Sequence, residues 1–174
     1  MELKTVWEDC QKLLEEPEGP WRLPVLATGG PNGATARVVV LRSYQWPRLS
    51  VYTDSRTPKV QSIEAEPRVS LVFYDSESKV QIRLRGEATV VTSGRDWEEA
   101  LSGVSEAAKA DYYAERPPGA PLEKPGDLEL DLAGGGHFAL IKVRICELEW
   151  LKLSHQGHLR ACFQGPEEGR WLVP

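Results

Sequence analysis

Several features that mark common protein classes are scarce in this sequence. It holds three cysteines, at positions 10, 146 and 162, and no Cys-x-x-Cys pair. This disfavours a disulfide framework and predicts reduced, buried thiols in a cytoplasmic protein. No apolar run approaches the roughly 20 residues of a membrane-spanning helix, and no signal-peptide pattern precedes the first predicted helix. The net charge of −5 argues against general nucleic-acid binding, which uses a strongly basic face.

Motifs for several common chemistries are missing too. The sequence has no G-x-S-x-G elbow, Walker loop or dinucleotide-binding fingerprint. His155 and His158 are three residues apart, but no nearby carboxylate or cysteine completes a set of metal ligands. We therefore predict neither a hydrolase nor a nucleotide triphosphatase, we predict no metal, and we assign no catalytic residue.

The hydrophobic pattern predicts a mainly β protein. At 174 residues and 41% hydrophobic composition, the chain suits one domain, residues 1–174. Apolar residues at helical spacing between positions 3 and 14 predict an N-terminal helix that ends before Pro17. We expect a β-barrel of six to eight antiparallel strands with peripheral helices. Strand patterns recur at 23–28, 34–43, 49–52, 68–74, 80–91, 138–146, 147–153, 159–164 and 170–173.

Other stretches predict connections and local burial. The sequence GGPNG at 29–33 is typical of a hairpin turn. The apolar run 38–41 predicts a strand that is buried on both faces. Two short helices are expected at 96–104 and 106–114. The stretch 116–136 is rich in proline and glycine without periodicity, and loops of that length are usually functional or disordered.

A polar segment, TDSRTPK at 53–59, follows the strand pattern at 49–52. Thr57 suits a helix N-cap and Pro58 suits the first helical position. Free backbone N–H groups and the positive end of the helix dipole would meet between Arg56 and Lys59. This combination predicts an anion site suited to a phosphate monoester. The alternative is a capped surface helix with two solvated cations.

The block from 36 to 86 resembles the pyridoxamine 5′-phosphate oxidase family, whose fold is the FMN-binding split β-barrel. The order and spacing of the matching stretches agree with that family, and together they cover about half of the chain. DSRTPK, with SEAAKADYYAERPPG further on, is most similar to the plant and cyanobacterial branch. The matching stretches are RVVVLR at 37–42, YTD at 52–54, Lys59, EPRVSL at 66–71, QIRLRG at 81–86, LEW at 148–150, HLR at 158–160 and RWLVP at 170–174.

The resemblance implies FMN as the cofactor and a homodimer with the cofactor between its subunits. Arg37 and Lys59 would hold the FMN phosphate, and Gln81 would reach the polar edge of the flavin. The partner subunit would supply the region of Trp150 together with Arg160. The remaining implied pocket positions are the backbone of Val38, Val39, Val40 and Leu41, and the residues Tyr52 and Thr53.

The sequence departs from the family in places. The arginine that precedes the phosphate-binding lysine is Pro58 here, and Arg56 is available to replace its charge. A serine and a second arginine of the substrate site are Ala120 and Gln156, and glutamine cannot imitate a guanidinium. The implied substrate set is therefore partial. Its remaining positions are Arg42, which stands where the family has a lysine, and Tyr112, Arg116 and His158, which match the family's residue types.

Three functions remain open from the sequence. The first is an FMN-dependent oxidoreductase whose substrate is unsettled. The second is a pyridoxamine/pyridoxine 5′-phosphate oxidase, which Ala120 and Gln156 disfavour. The third is a non-enzymatic flavin- or haem-binding or sensing protein. Nothing in the sequence separates the first from the third.

Overall fold

A computed structural model describes residues 1–30, 33–124, 126–132 and 136–174. The described residues form one antiparallel sheet with helices around it, which confirms the predicted fold class. The helices are α1 (Leu3–Glu15), α2 (Pro58–Ala65), α3 (Arg95–Ser102) and α4 (Glu106–Lys109), with 3-10 turns at Gly19–Arg22 and Ala110–Tyr112. The strands are β1 (Val25–Thr28), β2 (Thr35–Val38), β3 (Leu41–Gln45), β4 (Arg48–Asp54), β5 (Arg68–Asp75), β6 (Val80–Val91), β7 (Phe138–Lys152), β8 (Leu159–Phe163) and β9 (Gly169–Leu172).

The long strand β7 organises the sheet. The strand order is β2-β1-β5-β6-β7-β4-β3, and β8 and β9 continue from β7 as a branch. One half of β7 pairs with β4 and the other half with β8, while β6 runs along both halves. The β6–β7 register shifts between Arg85 and Gly86. A Cβ atom at Gly86 would lie 2.4 Å from the Arg144 carbonyl oxygen, so this close approach requires glycine.

Helix α1 covers one end of the core. Its inward positions, Val6, Trp7, Cys10 and Leu14, are all buried. The Trp7 ring packs edge-on against Trp46, with 4.9 Å between the ring centroids. Burial of such large side chains contributes about 1.5–3 kcal/mol each. The predicted N-terminal helix and its end before Pro17 are confirmed.

The described sheet has nine strands rather than six to eight. The predicted strand at 34–43 is two strands, because residues 39 and 40 lie between β2 and β3. The two strands predicted at 138–146 and 147–153 are the single strand β7. The strand predicted at 80–91 has the predicted bounds and the predicted alternation of buried and open positions.

Two burial predictions are wrong. Val38 is 61% exposed, whereas Leu41 is 3% exposed. β2 is the outermost strand at one end of the sheet order, so nothing in the described chain covers the outer side of Val38. Cys146 is also exposed, because it lies on β7 beside the register shift; Cys10 and Cys162 are buried as expected.

Parts of two predicted connections lie outside the described residues. They are positions 31 and 32 of the predicted turn at 29–33, and positions 125 and 133–135 of the predicted loop at 116–136. The two predicted short helices correspond to α3 and to α4 with its following 3-10 turn. None of the helices in the described part of the chain is long and apolar enough to cross a membrane.

Candidate cofactor and substrate site

The segment between β4 and α2 forms the predicted helix start. Thr57 is the N-cap residue of α2 and Pro58 occupies its first turn. The Thr57 hydroxyl does not cap the helix, because it donates a hydrogen bond to the Asp54 carbonyl oxygen at 2.9 Å. The helix start is therefore not satisfied by the N-cap side chain and can receive another acceptor.

Two cations lie beside this helix start. Lys59 Nζ donates to Thr53 Oγ1 at 2.8 Å. Arg37, on β2, donates to the Leu26 carbonyl at 3.2 Å and to Thr28 Oγ1 at 3.0 Å, both neutral acceptors. Among the described residues, neither Arg37 nor Lys59 forms a salt bridge.

The electrostatics of this pair favour an anion. Burial lowers the pKa of Lys59, and the nearby charge of Arg37 lowers it further. Burial also lowers the pKa of Arg37. Each shift means that the charged form is disfavoured where it stands. A dianion bound between Arg37 and Lys59 would instead favour the charged form of both, so these residues fit a phosphate monoester.

Arg56 has a different environment. Its guanidinium bonds both Asp54 carboxylate oxygens, with Nη2 to Oδ2 at 2.7 Å and Nε to Oδ1 at 3.1 Å. It also donates to the carbonyls of Ala114 and Glu115. The structure therefore places Arg56 in a neutral ion pair, and the free positive charge at this site belongs to Arg37 and Lys59.

An aromatic group lies at the end of β4. Tyr52 and Tyr112 each pack edge-on against Phe138, with ring centroids 5.0 and 5.1 Å apart. The Arg42 guanidinium lies 4.9 Å from the centre of the Tyr52 ring. Burial raises the pKa of Tyr112, while the charge of Arg42 lowers it. The structure thus brings Arg42, Tyr52 and Tyr112 together as one cationic and aromatic surface.

The outer face of the sheet carries a second cluster of charged side chains, formed by one glutamate and two arginines. Glu149, on β7, is 5% exposed and accepts from Arg83 and Arg160, each at 2.7 Å. The Nε atoms of both arginines are buried without a partner among the described residues. The strand register places Gln81 opposite Leu151, and Leu151 opposite Arg160. Gln81 and Arg160 therefore share a face of the sheet.

Trp150 lies on the other face of β7. It is the residue next to Glu149, and neighbours on a strand point to opposite sides. Its register partners are Ile82 and Ala161, which are fully buried. Its ring packs against Trp171 at 6.5 Å and lines a groove of about 980 Å³ beside α1. Within one chain, Trp150 and Arg160 do not converge.

The other two candidate substrate residues make local hydrogen bonds. Arg116 Nη1 donates to the Pro121 carbonyl at 3.2 Å. His158 Nδ1 accepts from the Ser154 N–H at 3.0 Å, in the turn between β7 and β8. In the described chain neither residue forms a salt bridge or a side-chain hydrogen bond with Arg42. The described residues contain no group of His, Cys, Asp and Glu that would hold a metal ion.

Sequence reasoning missed two residues that organise these clusters, Asp54 and Glu149. The Asp54-x-Arg56 spacing is visible in the sequence and is one that an aspartate turn uses. No local pattern in the sequence indicated a role for Glu149. Its pairing with Arg83 depends on the β6–β7 register, which joins positions 66 residues apart.

The first half of the chain matches a known protein family. The family "Pyridoxamine 5′-phosphate oxidase, FMN-binding domain" matches residues 6–92, and the chain belongs to this family. A pyridoxine/pyridoxamine 5′-phosphate oxidase of Rubrobacter xylanophilus is 39% identical over 99 residues, 56% of this chain and 40% of the relative. One of Thermobifida fusca is 33% identical over 116 residues, 66% of this chain and 45% of the relative. The matched region thus spans less than half of these curated relatives.

Solved structures agree on the fold. A pyridoxamine 5′-phosphate oxidase-related, FMN-binding protein of Nostoc punctiforme has a TM-score of 0.73 at 18% identity and covers 100% of this chain and 99% of its own. PhzG of Burkholderia lata, solved in complex with tetrahydrophenazine-1-carboxylic acid, has a TM-score of 0.70 at 16% identity, with coverages of 98% and 90%. FMN is the cofactor of the matched domain, and the cation pair fits its phosphate.

Proposed function

We propose that this protein is an FMN-dependent oxidoreductase that binds the cofactor phosphate between Arg37 and Lys59 at the start of α2. One observation carries the proposal: Arg37 and Lys59 donate to the neutral oxygens of Leu26, Thr28 and Thr53, and neither forms a salt bridge among the described residues. A pair of cations is costly there unless an anion joins them. The matched domain takes FMN, whose phosphate is such an anion.

The other pocket residues would bind and orient the flavin. Residues 39 and 40 lie between β2 and β3. The Val39 N–H donates to the Pro24 carbonyl at 2.9 Å, and the backbone from Val38 to Leu41 would lie along the ligand. Thr53 holds the Lys59 ammonium, and Tyr52 extends the pocket toward Arg42. When bound, FMN supplies the hydride chemistry, and these residues position it.

A homodimer would complete the site. Val38 and Val25 are register partners on the outer face and are 61% and 37% exposed. The same face carries Gln81 and Arg160, so a second copy packed there would bring one subunit's Arg160 near the other subunit's cofactor. The Trp150 side chain points away from this face. We therefore expect any contribution of Trp150 to the cofactor site to come from its backbone or through the groove beside α1. The unpaired thiols suit the cytoplasmic location predicted from the sequence.

The substrate would meet Arg42, Tyr52 and Tyr112. A second candidate function, pyridoxamine/pyridoxine 5′-phosphate oxidase, is favoured by the names of the curated relatives. Ala120 and Gln156, which lack the family's hydroxyl and guanidinium, weigh against it. We therefore propose an oxidoreductase with a cationic and aromatic substrate surface, and keep the phosphate oxidase as the second candidate.

The test is flavin binding followed by turnover. Purified protein is titrated into FMN, and quenching of flavin fluorescence is followed to tens of micromolar. We expect saturable binding with one FMN per chain. A peroxide-coupled assay of the loaded protein with candidate amines and alcohols then asks for oxidation. Absence of FMN binding would refute the cofactor assignment; tight binding with no turnover of any substrate would favour a non-enzymatic flavin protein.

A further inference from the structure

One arginine ties the segment before α2 to a distant part of the chain. Arg56 Nη2 donates to the Ala114 carbonyl at 2.8 Å, and Nη1 donates to the Glu115 carbonyl at 3.1 Å. The same guanidinium holds both carboxylate oxygens of Asp54. A single side chain thus bridges two segments that are 58 and 59 positions apart.

Asp54 anchors this bridge. Its side chain is 4% exposed and that of Arg56 is 21% exposed. Asp54 Oδ1 also accepts the Arg56 backbone N–H at 2.8 Å. A buried carboxylate is costly unless it is paired and hydrogen-bonded, so the guanidinium is fixed in orientation. Its planar fork leaves N–H groups for two further acceptors, which a lysine ammonium would not match in direction.

Backbone hydrogen bonds make a second connection, through His137, between the segment before α2 and Tyr112. The Ser55 N–H donates to the His137 carbonyl at 2.7 Å, and the His137 N–H donates to the Tyr112 carbonyl at 2.7 Å. The segment before α2 therefore holds residues 112–115 and His137 together. Tyr112 belongs to the proposed substrate surface, and Lys59 belongs to the proposed phosphate site.

We propose that Arg56 is a positioning residue that couples the occupation of the phosphate site to the order of residues 112–115 on the substrate side. This inference rests on the proposed function. A phosphate bound at Lys59 fixes the start of α2, and Arg56 transmits that order to the carbonyls of Ala114 and Glu115. By linkage, whatever orders residues 112–115 also tightens FMN binding.

The test measures amide hydrogen exchange of residues 112–116 in the full chain, with and without FMN. In the wild type we expect FMN to slow this exchange about tenfold, the scale on which local opening responds to one or two hydrogen bonds. In Arg56→Lys, which keeps the charge beside Asp54, the FMN-dependent slowing should fall to about twofold or less. The difference between bound and free protein is the readout, because a merely structural role changes both states alike.

Arg68→Lys is the matched control. Arg68 bonds Glu66, two residues before it, through Nε at 2.7 Å, Nη2 at 2.6 Å and its own N–H at 3.2 Å. This repeats the Asp54–Arg56 geometry at an exposed site, without a bond to a second segment in the described chain. The control should keep the full FMN-dependent slowing. Asp54→Asn provides a second variant of the bridge and should lose part of the slowing.

Each outcome decides the matter. If wild-type protein binds FMN but residues 112–116 exchange at the same rate with and without it, the coupling is refuted. By linkage, loss of a tenfold coupling weakens FMN by at most about tenfold. If Arg56→Lys loses much more than this of the preference for FMN over riboflavin, Arg56 is a phosphate ligand and the positioning role is wrong. Failure of the wild type to bind FMN by fluorescence is a separate result that refutes the proposed function. Because the wild-type comparison needs no variant, poor folding of a variant does not leave the inference untested.

Discussion

Replacing Lys59 by methionine should separate ligand binding from stability. In the free protein, burial and the Arg37 charge lower the pKa of Lys59. Its hydrogen bond to Thr53 is worth about 1.5–3 kcal/mol for a charged donor, but desolvation and repulsion offset it. Methionine keeps much of the aliphatic volume without the charge. We therefore expect the free variant to be within about 1 kcal/mol of wild type, or about 2–4 °C in Tm.

The same substitution should weaken FMN strongly. Loss of one charge-assisted contact to the phosphate costs about 1.5–3 kcal/mol, a factor of about 10 to 150 in Kd. Riboflavin has no phosphate, so its Kd should change less than about threefold. Fluorescence titrations with both flavins at one ionic strength measure the two effects, since salt screens such contacts.

Lys4→Met makes the same chemical change on the exposed side of α1 and serves as the control. It should leave both flavin affinities unchanged. Equal losses for FMN and riboflavin in Lys59→Met would show that the phosphate does not lie at Lys59. A large drop in the Tm of the free variant would show that Lys59 is a structural residue, and the assignment of an anion site would then fail.

The remaining predictions concern pH, assembly and substrate. FMN affinity should fall as pH rises through the lowered pKa of Lys59, because the phosphate binds the protonated amine. In the free protein the cost of burying the Lys59 charge is full below this pKa and is relieved above it. Measuring the Kd of FMN against pH, with riboflavin as the reference ligand, checks this. Val38→Asp should convert a dimer into monomers in light scattering, whereas Val173→Asp at the exposed C-terminus should not; a wild-type monomer that binds FMN tightly would contradict the dimer. Pyridoxamine 5′-phosphate should be turned over about thirty- to several-hundredfold less efficiently than by a dedicated oxidase, because Ala120 and Gln156 lack a hydroxyl and a cation that would orient it; a peroxide-coupled rate typical of such an enzyme would reverse our ranking.

Local sequence signals predicted part of the fold well. Strand β6 has the predicted bounds, because its alternation is strict and a polar turn precedes it. Helix α1 and the start of α2 were also visible, since helical spacing and the Thr57-Pro58 pair are local features. The phosphate pair needed more than local pattern. The family resemblance predicted that Arg37 and Lys59 act together, and in the structure the charge of Arg37 lowers the pKa of Lys59.

Features set by strand pairing could not be predicted in the same way. Val38 was expected in the core, but the sheet order leaves it on an outermost strand. Trp150 and Arg160 were expected to act together, but their faces depend on the β7–β8 register. A shift of one residue in such a register moves every side chain to the other face. The carboxylate partner of Arg56 is local, but its carbonyl acceptors are 58 and 59 positions away, and no local pattern indicates that they lie beside it.

The arrangement of charged groups at the start of α2 is what makes the proposed phosphate site recognisable in the structure. A protein selected only for stability would pair Lys59 with a carboxylate, and Asp54 is close enough to raise the pKa of Lys59. Yet the oxygens of Asp54 are held by Arg56, so Asp54 forms no salt bridge with Lys59 and offsets the effects of burial and of Arg37 only in part. Departures of this kind concentrate at functional sites. If a phosphate monoester binds there, it should stabilise the fold by an amount that grows with the logarithm of its concentration above Kd, because the unfolded chain does not hold Arg37 and Lys59 in one site.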